Sequence, residues 1–264
     1  MHLARRVPVT VDAALGDDEI VLTGRIMPAS NATFVGLIGD VEIVYKPVAG
    51  EKPLWDFPDG NLARREAAAY LVSESFGWNV VPRTWLRDGP HGIGMVQLWK
   101  EPDPAQDAVT MVASSEMPDA GWRHVFDGYD GHDRPVSVIH EDSSELRRMA
   151  VFDIVANNAD RKGGHILEMA DGHRHGIDHG LTFHTEHKLR TVLWGWIGED
   201  LHADELEGVE RVRADVAGDL GIALAALLTD FEIAALTRRC ERLLRKARFP
   251  APRGEMPAVP WPLF

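Results

Sequence analysis

Apolar and polar positions in the first hundred residues fall into short β-like runs on either side of one helical stretch. Three runs between Ile20 and Pro47, IVLTGRI, ATFVGLI and VEIVYKP, keep the period of two expected of half-buried strands. Pro28–Ala29–Ser30–Asn31 and Gly39–Asp40 separate them, so the spacing predicts a three-stranded antiparallel meander. After the loop GEKPLWDFPDG the period becomes helical. NLARREAAAYLVSESF, residues 61–76, places Leu62, Ala69, Val72 and Phe76 on one side and stops at Gly77, a helix C-terminal signal. Two further β-like runs, VVPRTWL and IGMVQLW, flank the hairpin-forming stretch RDGPHG. The first half therefore reads as three strands, a helix and two strands.

Residues 101–143 are polar and rich in Asp, Gly and Pro, and read as a connector with irregular or short helical structure. Beyond them SSELRRMAVFDIVANN has the spacing of a buried helix, with Leu146, Met149, Ala150 and Ile154 roughly on one face. Leu201 to Phe249 is mainly helical in pattern, and Trp194 and Trp196 in LWGW read as core packing. The expected fold class is α+β and two-lobed. A β-rich lobe spans 1–100, the connector 101–143, and a helical lobe with one small hairpin 144–249. The Pro-rich tail 250–264 is expected to be a strap or disordered.

Composition narrows the function classes. The 264 residues, 45% of them hydrophobic, suffice for one large domain or two small lobes sharing a cleft. A net charge of −13 works against polyanionic nucleic acid and anionic membranes unless a local basic patch overrides it. The basic clusters are short. LRRM at 146–149 precedes an apolar run, and TRRCERLLRKAR at 237–248 reads as a solvated face of the last helix in preference to a phosphate-binding surface. Cys240 is the one cysteine, which excludes an internal disulfide and speaks against thiol chemistry. The first residues lack an apolar core, and no stretch approaches the ~18–20 apolar residues needed to span a bilayer. A cytoplasmic protein without a stable membrane anchor is the expectation.

Candidate chemistry concentrates in NNADRKGGHILEMADGHRHGIDHG, residues 157–180. If Asp171–Gly172 is a two-residue hairpin turn, His165 lies opposite Asp178, and Asp160 precedes the first strand. Two carboxylates and an imidazole at one end of a hairpin suit phosphoryl transfer, where one acid orients the attacking hydroxyl and others hold metal. Six histidines between His165 and His187 also admit a zinc site, with His173 and His175 on one strand face, although HExxH and paired CxxC are lacking. Asp153, among apolar helical neighbours, reads as a structural carboxylate that fixes the following loop.

The segments VYKPVAGEKPLWDFPDGNLARREAAAYLVSE, NNADRKGGHIL, GIDHGLTFH and LRTVLWGW occur in order from about Thr23 to Asp200. In them the chain resembles the actinobacterial proteins related to phosphatidylinositol 3- and 4-kinases, an atypical branch of the kinase fold related to HipA-type kinases. The resemblance implies a two-lobed protein-kinase-like fold that uses ATP with Mg²⁺ or Mn²⁺. It implies that Lys46 holds the nucleotide phosphates with Glu66 as its helix partner, that Asp160 is the catalytic-loop aspartate, and that Asp178 binds metal. Gln97, Leu98 and Trp99 would form the hinge that meets adenine, and Ser30, Asn31 and Ala32 the loop over the phosphates. The family's usual DRHxxN reads DRKxxH here, with Lys162 and His165 at the changed places. A histidine as second metal ligand weakens magnesium or favours manganese. With no amphipathic membrane helix or polybasic loop, a protein or small soluble hydroxyl acceptor ranks above an inositol lipid. A nucleotide-binding pseudokinase and transfer of AMP are the alternatives.

Overall fold

The computed structural model describes residues 18–27, 31–52, 54, 57, 61–254 and 257–264. The meander forms as expected: β1 (Ile20–Arg25), β2 (Phe34–Ile38) and β3 (Val41–Pro47) are antiparallel, with Gly39 at φ 57 in the tight turn between the last two. Next come α1 (Leu62–Phe76) and the hairpin of β4 (Thr84–Gly89) and β5 (Gly92–Leu98), which completes a five-stranded sheet in the order β1-β2-β3-β5-β4. Period two decides which way each residue points. Ile43, Tyr45, Trp85 and Val96 pack on one face with Ile20 and Ile38, while Leu86 and Met95 meet Ala63 and Ala67 of α1 on the other. Lys46 pairs across the ladder with Met95 and so shares the α1 face.

The Glu51 carboxylate accepts the N–H groups of Leu62 (3.0 Å) and Ala63 (2.8 Å) at the start of α1, and Gly77 at φ 71 ends the helix. Its alanines allow close approach on both sides. Ala68, Ala69, Val72 and Phe76 enter the main core with the helices of the second half, so α1 joins the sheet to the rest of the chain. A buried ion pair between Arg65 of α1 and Glu232 reinforces that junction.

The expected irregular connector is instead a second antiparallel sheet, β6 (Val109–Ala113), β7 (Trp122–Tyr129) and β8 (Pro135–Glu141), in the order β6-β8-β7. Met111 and Tyr129 of this sheet are exposed. Few apolar positions and many turn residues hide such strands, because their stability comes from pairing with one another. After it α2 (Ser144–Ala156), capped by Ser143 Oγ accepting the Leu146 N–H at 3.2 Å, runs through the core with Leu146, Met149, Ala150 and Phe152 buried.

The short hairpin of β9 (Ile166–Glu168) and β10 (Arg174–Gly176) pairs Glu168 with Arg174 and Ile166 with Gly176. This is one residue out of the register that a two-residue turn dictates. The loop is Ala170–Asp171–Gly172, closed by Met169 N–H to His173 O (2.9 Å), with Asp171 Oδ1 accepting the His173 N–H and Gly172 at φ 88. A three-residue loop with glycine in the left-handed position is a common hairpin solution, and Asp–Gly serves it as well as the shorter one. The second half ends with α3 (Ala203–Val216), α4 (Asp219–Leu224) and α5 (Asp230–Lys246).

The described part of the tail is a strap. Ala258 O accepts the Thr191 N–H (3.1 Å) and the Trp194 Nε1–H (2.9 Å), and Leu263 O accepts the Gly163 N–H (2.8 Å). Trp196 is fully buried, as the core reading of LWGW requires. Burial pushes the Cys240 thiol up to about 12, where it is inert. Among the described residues no helix is long and apolar enough to cross a membrane.

Candidate active site

Three elements distant in sequence meet at one ammonium group. Lys46 Nζ of β3 lies 2.7 Å from Glu66 Oε1 of α1 and 2.8 Å from Asp178 Oδ1 in the segment after β10. Glu66 is buried and its second oxygen accepts the His179 N–H at 2.9 Å, which ties α1 to the Asp178 segment through the backbone as well. Burial opposes the charge on Lys46, yet the Asp178 and Glu66 carboxylates outweigh it and hold the ammonium above its ordinary value. Asp178 is correspondingly held low, first by Lys46. It occupies the left-handed region at φ 61 and remains half exposed, so its carboxylate is both strained into place and open to solvent.

Asp178 Oδ2 faces His165 Nε2 at 3.3 Å, so the two meet despite the shifted hairpin register. The Asp160 carbonyl sits 2.8 Å from His165 Nδ1, and because a carbonyl only accepts, Nδ1 carries the proton. Nε2 thus points at a carboxylate oxygen, where a proton or a cation between the two atoms would separate two acceptors. Asp160 itself has Lys162 Nζ 3.4 Å away. Burial raises its carboxyl above the ordinary aspartate value, against the pull of His165 and Lys162 and with help from Asp178.

Behind these groups is a hub that motif reading missed. Arg161 is wholly buried and binds Asp153 through two nitrogens, at 2.9 and 3.0 Å. It also donates to the His165 carbonyl (2.8 Å) and to His179 Nε2 (2.6 Å). Asp153 holds Asn158 Nδ2 at 2.9 Å, and Asn158 Oδ1 in turn accepts the Asp160 N–H at 3.0 Å. The expected structural role of Asp153 is the one observed. Burial and then Arg161 keep His179 well below its ordinary value, hence neutral. The signal for Arg161 was its place in ADRK; its burial was not visible in the pattern.

Comparison with known proteins gives one extensive sequence match. Protein Rv2133c of Mycobacterium tuberculosis is 48% identical over 265 residues, spanning 96% of this chain and 95% of its own. The chain belongs to the Rv2133c family. No family model matches it. The crystal structure of the Helicobacter pylori proinflammatory kinase CtkA aligns with TM-score 0.47 and 12% identity over 88% of this chain and 93% of that one, too loosely to decide the fold.

In this Rv2133c family member the remaining predicted residues lie at the edges of the cluster or apart from it. Gln97 is buried between β3 and β4 with its side chain donating to Thr84 Oγ1 at 2.8 Å. The N–H groups of Leu98 and Trp99 are engaged by the carbonyls of Arg83 (2.9 Å) and Glu42 (3.0 Å). Asn31 Oδ1 accepts the Lys52 N–H at 3.0 Å and Ala32 rests against Gly50, so both close onto the turn after β3. Ser30 lies outside the described residues. His173 Nε2 and His175 Nδ1 both donate to the Asn79 carbonyl, at 2.8 and 3.0 Å, an arrangement that serves chain packing.

Among the described residues no three His, Cys, Asp or Glu side chains are grouped to enclose a metal ion. Asp178 with His165 is a partial donor set of the kind that substrate phosphates and water complete. In that sense the residues present fit a nucleotide-borne divalent ion.

Proposed function

We propose that the protein is an ATP-dependent phosphotransferase with a two-lobed kinase-like fold of the phosphatidylinositol 3- and 4-kinase-like branch. The observation that carries this reading is Lys46 held between Glu66 and Asp178 with Asp160 close by, because it joins a phosphate-binding cation, its positioning partner and two further carboxylates from four separate segments. Lys46 binds the nucleotide phosphates and Glu66 fixes its rotamer. Asp178, with His165, would hold Mg²⁺ or Mn²⁺, whose chemistry is to neutralise charge on the phosphates. Asp160, made more basic by burial, accepts the proton of the attacking hydroxyl. Because the Leu98 and Trp99 N–H groups are engaged by backbone carbonyls, Lys100, whose N–H no described residue engages, is the first residue past β5 placed to meet adenine. A hydroxyl on a protein or small molecule is the acceptor class.

A regulatory nucleotide-binding module without transfer is the second reading. It is favoured by Lys162, which stands 3.4 Å from the Asp160 carboxylate and pairs with the base itself. ATP labelled in turn at the γ- and α-phosphates, with Mn²⁺ and Mg²⁺, separates the possibilities. Transfer of the γ-label that is lost in Asp160→Ala supports the phosphotransferase. Transfer of the α-label means AMP transfer, and binding without either transfer means the regulatory module.

A further inference from the structure

The basic stretch at 237–248 does more than face water. A cavity of about 160 Å³ opens between the end of α2, residues 187–189, the last turns of α5 and the start of the strap. Its apolar lining is Ile154, Leu189, Leu243 and Phe249. The lining also carries Arg239, Arg242, Lys246 and Arg253, and no carboxylate among the described residues lines the space. It shares no residue with the Lys46–Glu66–Asp178 cluster.

Cations gathered around a hollow in a chain of net charge −13 are out of keeping with its surface, and their mutual repulsion favours an anion between them. Arg248 at the edge is already paired with Asp200 at 2.8 Å, whereas Arg242, Lys246 and Arg253 make no ion pair with a described carboxylate. Arg239 is 7% exposed and donates through Nε to Val155 O (2.7 Å) and through Nη1 to His184 O (3.2 Å). Its buried Nη2 has no hydrogen-bond partner among the described residues. Buried donors are nearly always satisfied, so this guanidinium is short of an acceptor. Burial, followed by Arg253 close by, lowers both His187 and Arg242, a further sign of uncompensated positive charge.

The apolar lining narrows the ligand beyond a bare oxyanion. A cavity of about 150 Å³ lined by apolar side chains is known to hold benzene, so the space here takes about one aromatic ring. We propose that this cavity binds a small amphiphilic anion, a phosphate monoester or carboxylate bearing an apolar group of about that size. The site stands whether or not the protein transfers phosphate.

Titration calorimetry on the full chain with phenyl phosphate, benzoate, inorganic phosphate and benzyl alcohol tests this. At least one of the first two should bind tenfold or more tightly than both inorganic phosphate and benzyl alcohol. Lys246→Glu and Arg242→Glu should each weaken that binding at least tenfold. Lys246 is exposed, so its reversal leaves the fold intact, and an unchanged thermal midpoint checks this. Lys46→Gln, in the other site, should leave the affinity as in the wild type. Equal affinity for all four probes, binding that survives both reversals, or binding lost only in Lys46→Gln would each overturn the proposal.

Discussion

At the scale of single residues, the site depends on charges that have little freedom to act alone. Removing Glu66 leaves the buried His179 N–H without its acceptor and Lys46 with one carboxylate fewer. Glu66→Ala should therefore lose about 1–3 kcal/mol in urea unfolding and bind ATP at least tenfold more weakly. Asp160 offers a test by pH. A general base works only when ionised, and burial raises this carboxyl, so the acid limb of the transfer rate should lie above the ordinary aspartate value. Lys162→Met removes a cation that pulls the carboxyl down, and the limb should move to still higher pH; a shift to lower pH would contradict the assignment. Lys46, Glu66, Asp160 and Asp178 were singled out by the resemblance and the order of its motifs, since taken alone a strand lysine or a helix glutamate reads as solvent-facing. Arg161 was not, since an arginine is ordinarily exposed and only burial with Asp153 marks it as a hub. Asp153→Ala strands that buried guanidinium and should cost about 3–5 kcal/mol, measured by chemical denaturation.

At the scale of elements, close approach and pairing decide the geometry. A Cβ at Gly208 of α3 would stand 2.3 Å from the ring of Trp78, which stacks on Phe76 at the end of α1. Gly208→Ala gains up to about 1 kcal/mol of helix propensity but overpacks a buried contact, which costs about 1–3 kcal/mol. Overpacking should win, so the thermal midpoint should fall, whereas a rise would mean that the Trp78 ring moves aside freely. The periodic elements were readable because the first sheet forms from short β-like runs parted by turn residues, and α1 and α2 are long apolar-rich runs with recognisable ends such as Gly77. The second sheet was not, as β6–β8 are short strands set among turn residues and support one another by pairing, and the hairpin register escaped because a loop sets it by its conformation as much as by its residue types.

At the scale of the whole molecule, burial links stability to pH. His140 is wholly buried, donating from Nδ1 to the Glu141 carbonyl and accepting the Gly195 N–H at Nε2, and burial lowers it to about 4. His175 is lowered to about 4 as well, by burial and then by His173. The unfolded chain protonates these rings near 6.5, so between about 6.5 and 4 it binds more protons than the folded protein. Stability should be intact above 6.5 and fall as the pH drops to 4, by up to about 3 kcal/mol for each histidine. Thermal midpoints at pH 7, 5.5 and 4 measure this, and His140→Gln should lower the midpoint at pH 7 while flattening the decline; a wild-type profile that does not fall would refute it. By itself the sequence determined the periodic strands and helices, the acidic charge, the inert lone cysteine and the order of the candidate catalytic residues, because each follows from neighbours along the chain. The tertiary structure alone decided the second sheet, the hairpin register, the hub at Arg161 and the basic cavity beside α5. Those depend on which side chains are buried together, and burial is a property that residues acquire from partners distant in sequence.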